Sequence, residues 1–132
     1  MYTMKEACEK TGLSYETLKF YCNQGLVPNV KRDAQNRRVF DDRDIGWINS
    51  LNCLKNCRMG IGEMKQYLAL CMQGEPSIPR RKEILVQKQQ QLEQERRKIE
   101  EAMAYIDWKQ GFYDDVLCGK TRYFSNLLPP ED

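Results

Sequence analysis

From Arg80 to about Gln110 the chain has neither glycine nor proline and is filled with Gln, Glu, Lys and Arg. That composition predicts one uninterrupted helix of ~45 Å at 1.5 Å per residue. Its apolar residues constrain it further: Leu85, Leu92, Ile99 and Ile106 recur every seven residues. A stripe this narrow buries too little to hold a lone helix in water, so the repeat calls for a partner helix and predicts a coiled-coil dimer. The alternate seam positions Lys82, Gln89 and Arg96 are polar until Met103. The seam is therefore thin in its middle, and parallel and antiparallel pairings fit it equally. Leu85, Leu92, Ile99, Met103 and Ile106 are the candidate dimerisation residues.

The turn-rich stretch Gly74-Glu75-Pro76-Ser77-Ile78-Pro79 marks the clearest boundary in the chain. It divides a head, residues 1–74, from a linker over 75–79, the long helix over 80–110 and a tail over 111–132. Within the head, Thr3 and Glu6 form a capping box before a short helix that ends at Gly12, and Ser14 caps a second helix that stops at Gly25. Two short helices joined by Thr11-Gly12-Leu13 make a helix-turn-helix unit. Pro28 bars continuation of the second helix. Val30 to Lys31 and Arg37 to Phe40 then read as short strands around Asp33-Ala34-Gln35-Asn36, with Asn36 supplying left-handed backbone. Asp41 or Asp42 caps a third helix with the stripe Ile45, Ile48, Leu51 and Leu54, and Ile61, Met64, Leu68 and Cys71 mark a fourth. The expected fold class is all-α with a small β-hairpin wing: a winged helix-turn-helix head and a long dimerisation helix.

Composition removes most alternatives. With no histidine among 132 residues, imidazole acid/base chemistry, Ser-His and Cys-His nucleophiles and imidazole zinc sites are absent. The net charge of +2 says little, but Lys31, Arg32, Arg37 and Arg38 cluster within eight residues. MYTMKEACEK has no signal-peptide pattern and no apolar run approaches a membrane span, so a cytoplasmic location with six reduced thiols is expected. A helix-turn-helix followed by a basic hairpin suits double-stranded DNA, since the second helix enters a major groove about 12 Å wide while the wing reaches the flanking backbone or minor groove.

Tyr2-Thr3-Met4-Lys5-Glu6, Thr11-Gly12-Leu13-Ser14, Thr17-Leu18-Lys19-Phe20-Tyr21, Gly25-Leu26-Val27-Pro28, Arg38-Val39-Phe40 and Asp44-Ile45 follow one another in an order and spacing that resemble the MerR family of transcription regulators. The resemblance covers about the first 72 residues closely. It implies a homodimer that holds a promoter spacer and bends and untwists it, acting on RNA polymerase through the promoter. Carried onto this chain, it makes Thr3, Ser14, Tyr15, Thr17, Lys19, Phe20, Tyr21, Lys31, Arg37, Arg38 and Phe40 the candidate DNA-contacting residues. Lys19 stands where the family commonly has arginine, which favours a phosphate contact over a bidentate base contact. Phe20 and Phe40 stand where tyrosines are common. A DNA-architectural or recombination accessory protein with the same head is the alternative, weakened by the long heptad helix.

Several residues have plainer readings. Tyr21 with Leu18 is expected to lie partly in the core, Trp47 to pack, and Cys8 and Cys71 to take apolar positions of their helices. Tyr105, Trp108 and Phe112, at i, i+3 and i+7, are expected to dock the helix end onto a partner's head. The long helix starts without a cysteine and only Cys118 follows it, so neither metal nor cofactor is expected. Cys53 lies opposite the stripe of the third helix, and Trp47 to Asn56 resembles the thiol- and aldehyde-responsive branch of the family, in which a lone cysteine at this position is the proposed sensor. Lys55 and Arg58 are cations close in sequence, of the kind that favours a thiolate. A 53–57 disulfide is disfavoured by Cβ atoms ~5 to 6 Å apart in an intact helix.

A chain cut after Met72 loses the seam. It is expected to bind operator DNA far more weakly than the full chain, by roughly 10²-fold or more, because two linked half-site readers become single ones. Equal affinity in parallel titrations would overturn the dimer expectation.

Overall fold

The structure is a computed structural model and describes residues 1–130. Along the chain come α1 (Met4–Thr11), α2 (Tyr15–Asn23), an antiparallel hairpin of β1 (Lys31–Arg32) and β2 (Arg38–Val39), α3 (Asp42–Asn56), α4 (Ile61–Met72), a 3₁₀ turn over Glu75–Ser77, and α5 (Ile78–Leu117). The helical class with one small hairpin is the class expected from the sequence. These elements form two compact units, Met1–Lys88 and a second from Gln89 onward.

Local chemistry explains the element ends of the first unit. Thr3 Oγ1 accepts from the Glu6 N–H at 3.1 Å while the Thr3 N–H donates to Glu6 Oε1 at 3.2 Å, which starts α1. Gly12 ends it at φ +73°, with its N–H on the Cys8 carbonyl. Ser14 Oγ then accepts from the Thr17 N–H at 3.1 Å to open α2. At the hairpin tip, Asn36 takes φ +61°, and Asp33 Oδ1 accepts from the Gln35 and Arg37 N–H groups, both at 2.9 Å.

The first strand is displaced by one residue from the expected Val30 to Lys31, and the second is shorter than the expected Arg37 to Phe40. Only Lys31↔Val39 and Arg32↔Arg38 pair across the hairpin, whereas Phe40 pairs with Tyr2: the Tyr2 N–H donates to the Phe40 carbonyl at 2.7 Å and the Phe40 N–H to the Tyr2 carbonyl at 2.9 Å. The Phe40 side chain turns inward and is fully buried with Leu18, Leu26, Ile48, Leu51 and Met64, so α2, α3 and α4 share one core with the hairpin's end. Burial of such side chains stabilises by about 1.5–3 kcal/mol each. Trp47 packs at the edge of this core, its Nε1–H donating to the Leu26 carbonyl at 2.7 Å.

One polar knot joins the hairpin to α3. Asp41 caps the helix by accepting the Asp44 N–H on Oδ1, and its Oδ2 receives Lys31 Nζ at 2.8 Å. Lys31 also reaches Asp44 Oδ2 at 3.2 Å and donates to the Asn29 carbonyl at 3.0 Å. The ammonium beside Asp41 and the N–H it caps hold that carboxyl down at about 2.

The long helix differs from its expected bounds at both ends. It begins at Ile78, so the expected linker is a 3₁₀ turn followed by the helix's first residues; Pro79 sits in the first turn, where no intrahelical N–H is required. It continues through Gly111 to Leu117, past the expected end near Gln110. A single helical glycine costs only ~1 kcal/mol, and aromatic packing spans it: Trp108 and Phe112 stack at 6.1 Å, and Phe112 meets Phe124 at 5.0 Å. The chain's own tail therefore occupies one side of Phe112, while Tyr105 and Trp108 stay exposed. Leu85, Ile99, Met103 and Ile106 are 41 to 59% exposed in the single chain, as an apolar row without a partner must be. Tyr113 falls seven residues after Ile106 and is also exposed.

The Asp41 carboxyl predicts an acid response with a definite sign. A folded value near 2 lies below the ordinary 3.8, so the stabilisation is complete above pH 3.8 and is lost as the pH falls towards 2. Asp41→Asn keeps a side-chain oxygen for the cap but does not titrate. Urea midpoints measured from pH 5 to pH 2 should therefore fall less in Asp41→Asn than in the parent, and parallel declines would refute the pairing.

Candidate nucleic-acid interface

The start of α1, the start of α2 and the hairpin enclose a cleft of about 460 Å³ lined by Thr3, Lys5, Tyr15, Arg32, Arg37 and Arg38, among others. Its geometry follows from the Tyr2–Phe40 pairing, which lays the N-terminal residues beside β2 and so brings Thr3 next to the wing. Tyr15, in the first turn of α2, is 56% exposed; Phe20, 45% exposed, lies about 140° round the helix from it and, with Thr17, lines a separate groove beside Lys55, Gly60 and Ile61. Ser14 and Lys19 are exposed and Thr17 half-buried, its Oγ1 accepting from Ser14 Oγ at 2.9 Å. The α2 N-terminus presents N–H groups and the positive end of the helix dipole on this surface, a setting for phosphate oxygens.

The wing cations are held in place. Arg38 donates to Asn23 Oδ1 at 2.6 Å, which fastens β2 to the end of α2. Arg32 donates to the Asn36 carbonyl at 3.0 Å, and Arg37 pairs with Asp33 at 3.3 Å and reaches Gln35 Oε1. Among the described residues, Asp33 is the only carboxylate lining the cleft; N–H groups of the turn, Arg37's first among them, keep it below the usual carboxylate range. Arginines exposed, or half-exposed as Arg38 is, and pre-fixed by weak side-chain contacts lose little freedom on meeting phosphate.

Besides Thr17 and Phe20, three residues expected at the interface lie away from the cleft. Phe40 is fully buried and Tyr21 is 3% exposed, so neither offers a surface to a ligand; both belong to the core. Lys31 is engaged by Asp41 and Asp44 on the α3 side of the hairpin. Strand geometry gives the reason: successive side chains point to opposite faces, so Lys31 and Arg32 cannot share one. Arg32 sits directly opposite Arg38 and shares its face. Sequence reasoning placed both residues in the basic patch and named Lys31 as the contact, whereas Arg32 is the one that lines the cleft. It also passed over Lys5, whose place in the cleft depends on the distant Tyr2–Phe40 bridge, and Asn23, whose amide holds Arg38.

The cysteines are all unbridged, and Cys53 and Cys118 are exposed. Burial pushes the Cys8 and Cys22 thiols up, which disfavours the reactive thiolate at both. Cys53 lies on the outer side of α3 while Ile48 and Leu51 face the core. Among the described residues, no helix is long and apolar enough to cross a membrane.

Comparison with known proteins agrees with this architecture. Residues 2–71 match the model of the MerR HTH family of regulatory proteins. An HTH-type transcriptional regulator of Haemophilus influenzae is 32% identical over 112 residues, spanning 85% of this chain and 83% of that protein. The crystal structure of HiNmlR, a MerR family regulator lacking the sensor domain and bound to promoter DNA, superposes with a TM-score of 0.72 at 31% identity, covering 89% of this chain and 93% of that one. A MerR family transcriptional regulator from Listeria monocytogenes gives a TM-score of 0.77 at 30% identity, covering 90% of each chain. With a family match across the whole reading head and relatives that extend through the long helix, the chain belongs to the MerR family of helix-turn-helix regulators.

Proposed function

We propose that this regulator works in the cytoplasm as a homodimer, binds double-stranded promoter DNA and controls transcription by bending and untwisting the spacer between its half-sites. RNA polymerase is then affected through the promoter's shape. The observation that carries this reading is the cleft itself: Thr3, Lys5, Tyr15, Arg32, Arg37 and Arg38, drawn from three elements, face one surface whose carboxylate, Asp33, is already paired. The promoter-bound state of HiNmlR supports it. So does the exposed row Leu85, Ile99, Met103 and Ile106, which suits pairing with the same row of a second copy. In this reading α2 enters the major groove, with Ser14, Tyr15, Thr17 and Phe20 near base edges and sugars. Lys19, Arg32, Arg37 and Arg38 neutralise phosphates.

Arg32→Ala, Arg38→Ala and Lys19→Ala are each expected to weaken operator binding and to flatten the plot of log affinity against log salt, by about one unit for every phosphate left without its cation. Parent slopes in Arg32→Ala and Arg38→Ala would remove the cleft from the interface, and a parent slope in Lys19→Ala would remove that face of α2.

Cys53 is proposed as the point where an electrophile acts on the regulator, a role supported by its exposure on α3 and by the resemblance of Trp47 to Asn56. An adduct there alters the outer face of α3 without entering the core. Transcription by Cys53→Ser with and without a thiol-reactive aldehyde decides the matter. The expected result is a variant that binds DNA and ignores the aldehyde; a full response counts against this role.

A further inference from the structure

Lys88 is only 9% exposed, although Gln87, Gln89 and Gln90 around it on α5 are exposed. Its Nζ lies 2.8 Å from Glu63 Oε2 in the first turn of α4, and Glu63 Oε1 also accepts from the Gly60 N–H at 3.3 Å. The neighbouring ammonium lowers the Glu63 carboxyl below its usual value. Two turns earlier on the same face of α5, Arg81 donates from Nε to Ser77 Oγ at 2.9 Å and from a terminal nitrogen to the Gly74 carbonyl at 2.8 Å. Ser77 is itself 5% exposed and lies within hydrogen-bond distance of the Leu70 and Gly74 carbonyls. Ile84, between the two cations, packs on the core. The beginning of α5 is thus fastened to α4 near both of α4's ends.

With Lys88 nearly buried and the Glu63 side chain half exposed, this ion pair adds little net stability, because desolvation of the ammonium offsets much of the attraction. What it supplies is directionality. The dimer seam lies farther along the same helix, and slack at the α4–α5 contact becomes slack in the separation of the two heads. Ile99 is eleven residues beyond Lys88, a lever of ~16 Å. About 10° of freedom at Lys88 moves Ile99 by ~3 Å, close to the ~3.4 Å rise of one base pair.

We propose that Lys88, through Glu63, and Arg81, through Ser77 and the Gly74 carbonyl, are positioning residues that hold α5 rigidly on α4 and so set the half-site separation that the dimer accepts. This rests on the dimeric DNA-binding reading above. Neither residue belongs to the cleft or to the seam. The pair therefore governs specificity for spacer length and leaves affinity for a single half-site alone.

The test uses the full chain and duplexes carrying the palindromic operator recovered by selection from a random library, with the selected half-site separation and with one base pair added or removed. The variants are Lys88→Met, which keeps side-chain length, and Glu63→Gln, which keeps an oxygen for the Gly60 N–H. In each, and in the double variant no further, the affinity ratio between the selected and altered separations is expected to fall at least about threefold. Single half-site affinity is expected to stay at the parent value, and melting curves to show folded protein. An unchanged ratio overturns the proposal. So does an equal loss of affinity on every duplex, which marks the pair as merely structural, and so does additivity in the double variant. A parent protein indifferent to half-site separation would instead refute the dimeric reading, which keeps the two failures apart.

Discussion

Two backbone hydrogen bonds between Tyr2 and Phe40 hold the reading surface together. They tie residues 38 positions apart in sequence and fasten the end of the two-stranded wing to the residue before Thr3, from which α1 departs. An isolated two-residue hairpin is marginal in water. This one persists because its last residue is anchored twice, by backbone to Tyr2 and by the buried Phe40 ring to the core of α2, α3 and α4. The cleft between α1, α2 and the wing is a consequence of that anchoring, and its cations inherit their positions from it.

Charge at the wing is divided by function along a single strand. Lys31 is consumed by the Asp41 and Asp44 carboxylates and acts as a rivet between β1 and the cap of α3, whereas Arg32 on the other face stays with Arg37 and Arg38. The overall charge of +2 conceals this arrangement. Acidic residues are gathered where helices start, at Glu6, Asp41, Asp44 and Glu63, and three arginines stand on the surface of the cleft with the Asp33 carboxylate among them.

Much of this was legible in the sequence wherever the cause is local. Thr3, Gly12, Ser14, Asn36 and Asp41 announce their caps and turns by residue type, and each performs the role expected of it. The seven-residue row and the order of elements were legible for the same reason, since periodicity is a property of neighbours. What escaped depends on partners far along the chain. Nothing near Phe40 marks it for the core in place of the surface. Nothing near Lys88 reveals Glu63, and Gly111 looks like a helix end until Phe112 meets Phe124. The choice between Lys31 and Arg32 lay within reach of strand parity, but required knowing which face of the hairpin meets α3.

That parity carries an evolutionary grammar for the wing. β1 is pinned by Lys31 and β2 by Phe40, so residues can be gained or lost between Asp33 and Arg37 with each strand keeping its facing. A single insertion between Pro28 and Lys31, or between Arg38 and Phe40, has a different effect, because a slip of one residue turns every later side chain to the opposite face. The first of these would drive an arginine toward the carboxylates of α3 and turn the rivet outward. A head of this kind should therefore tolerate a change of wing length at the tip while its two stems stay constant in length, since only the stems fix which face each arginine takes.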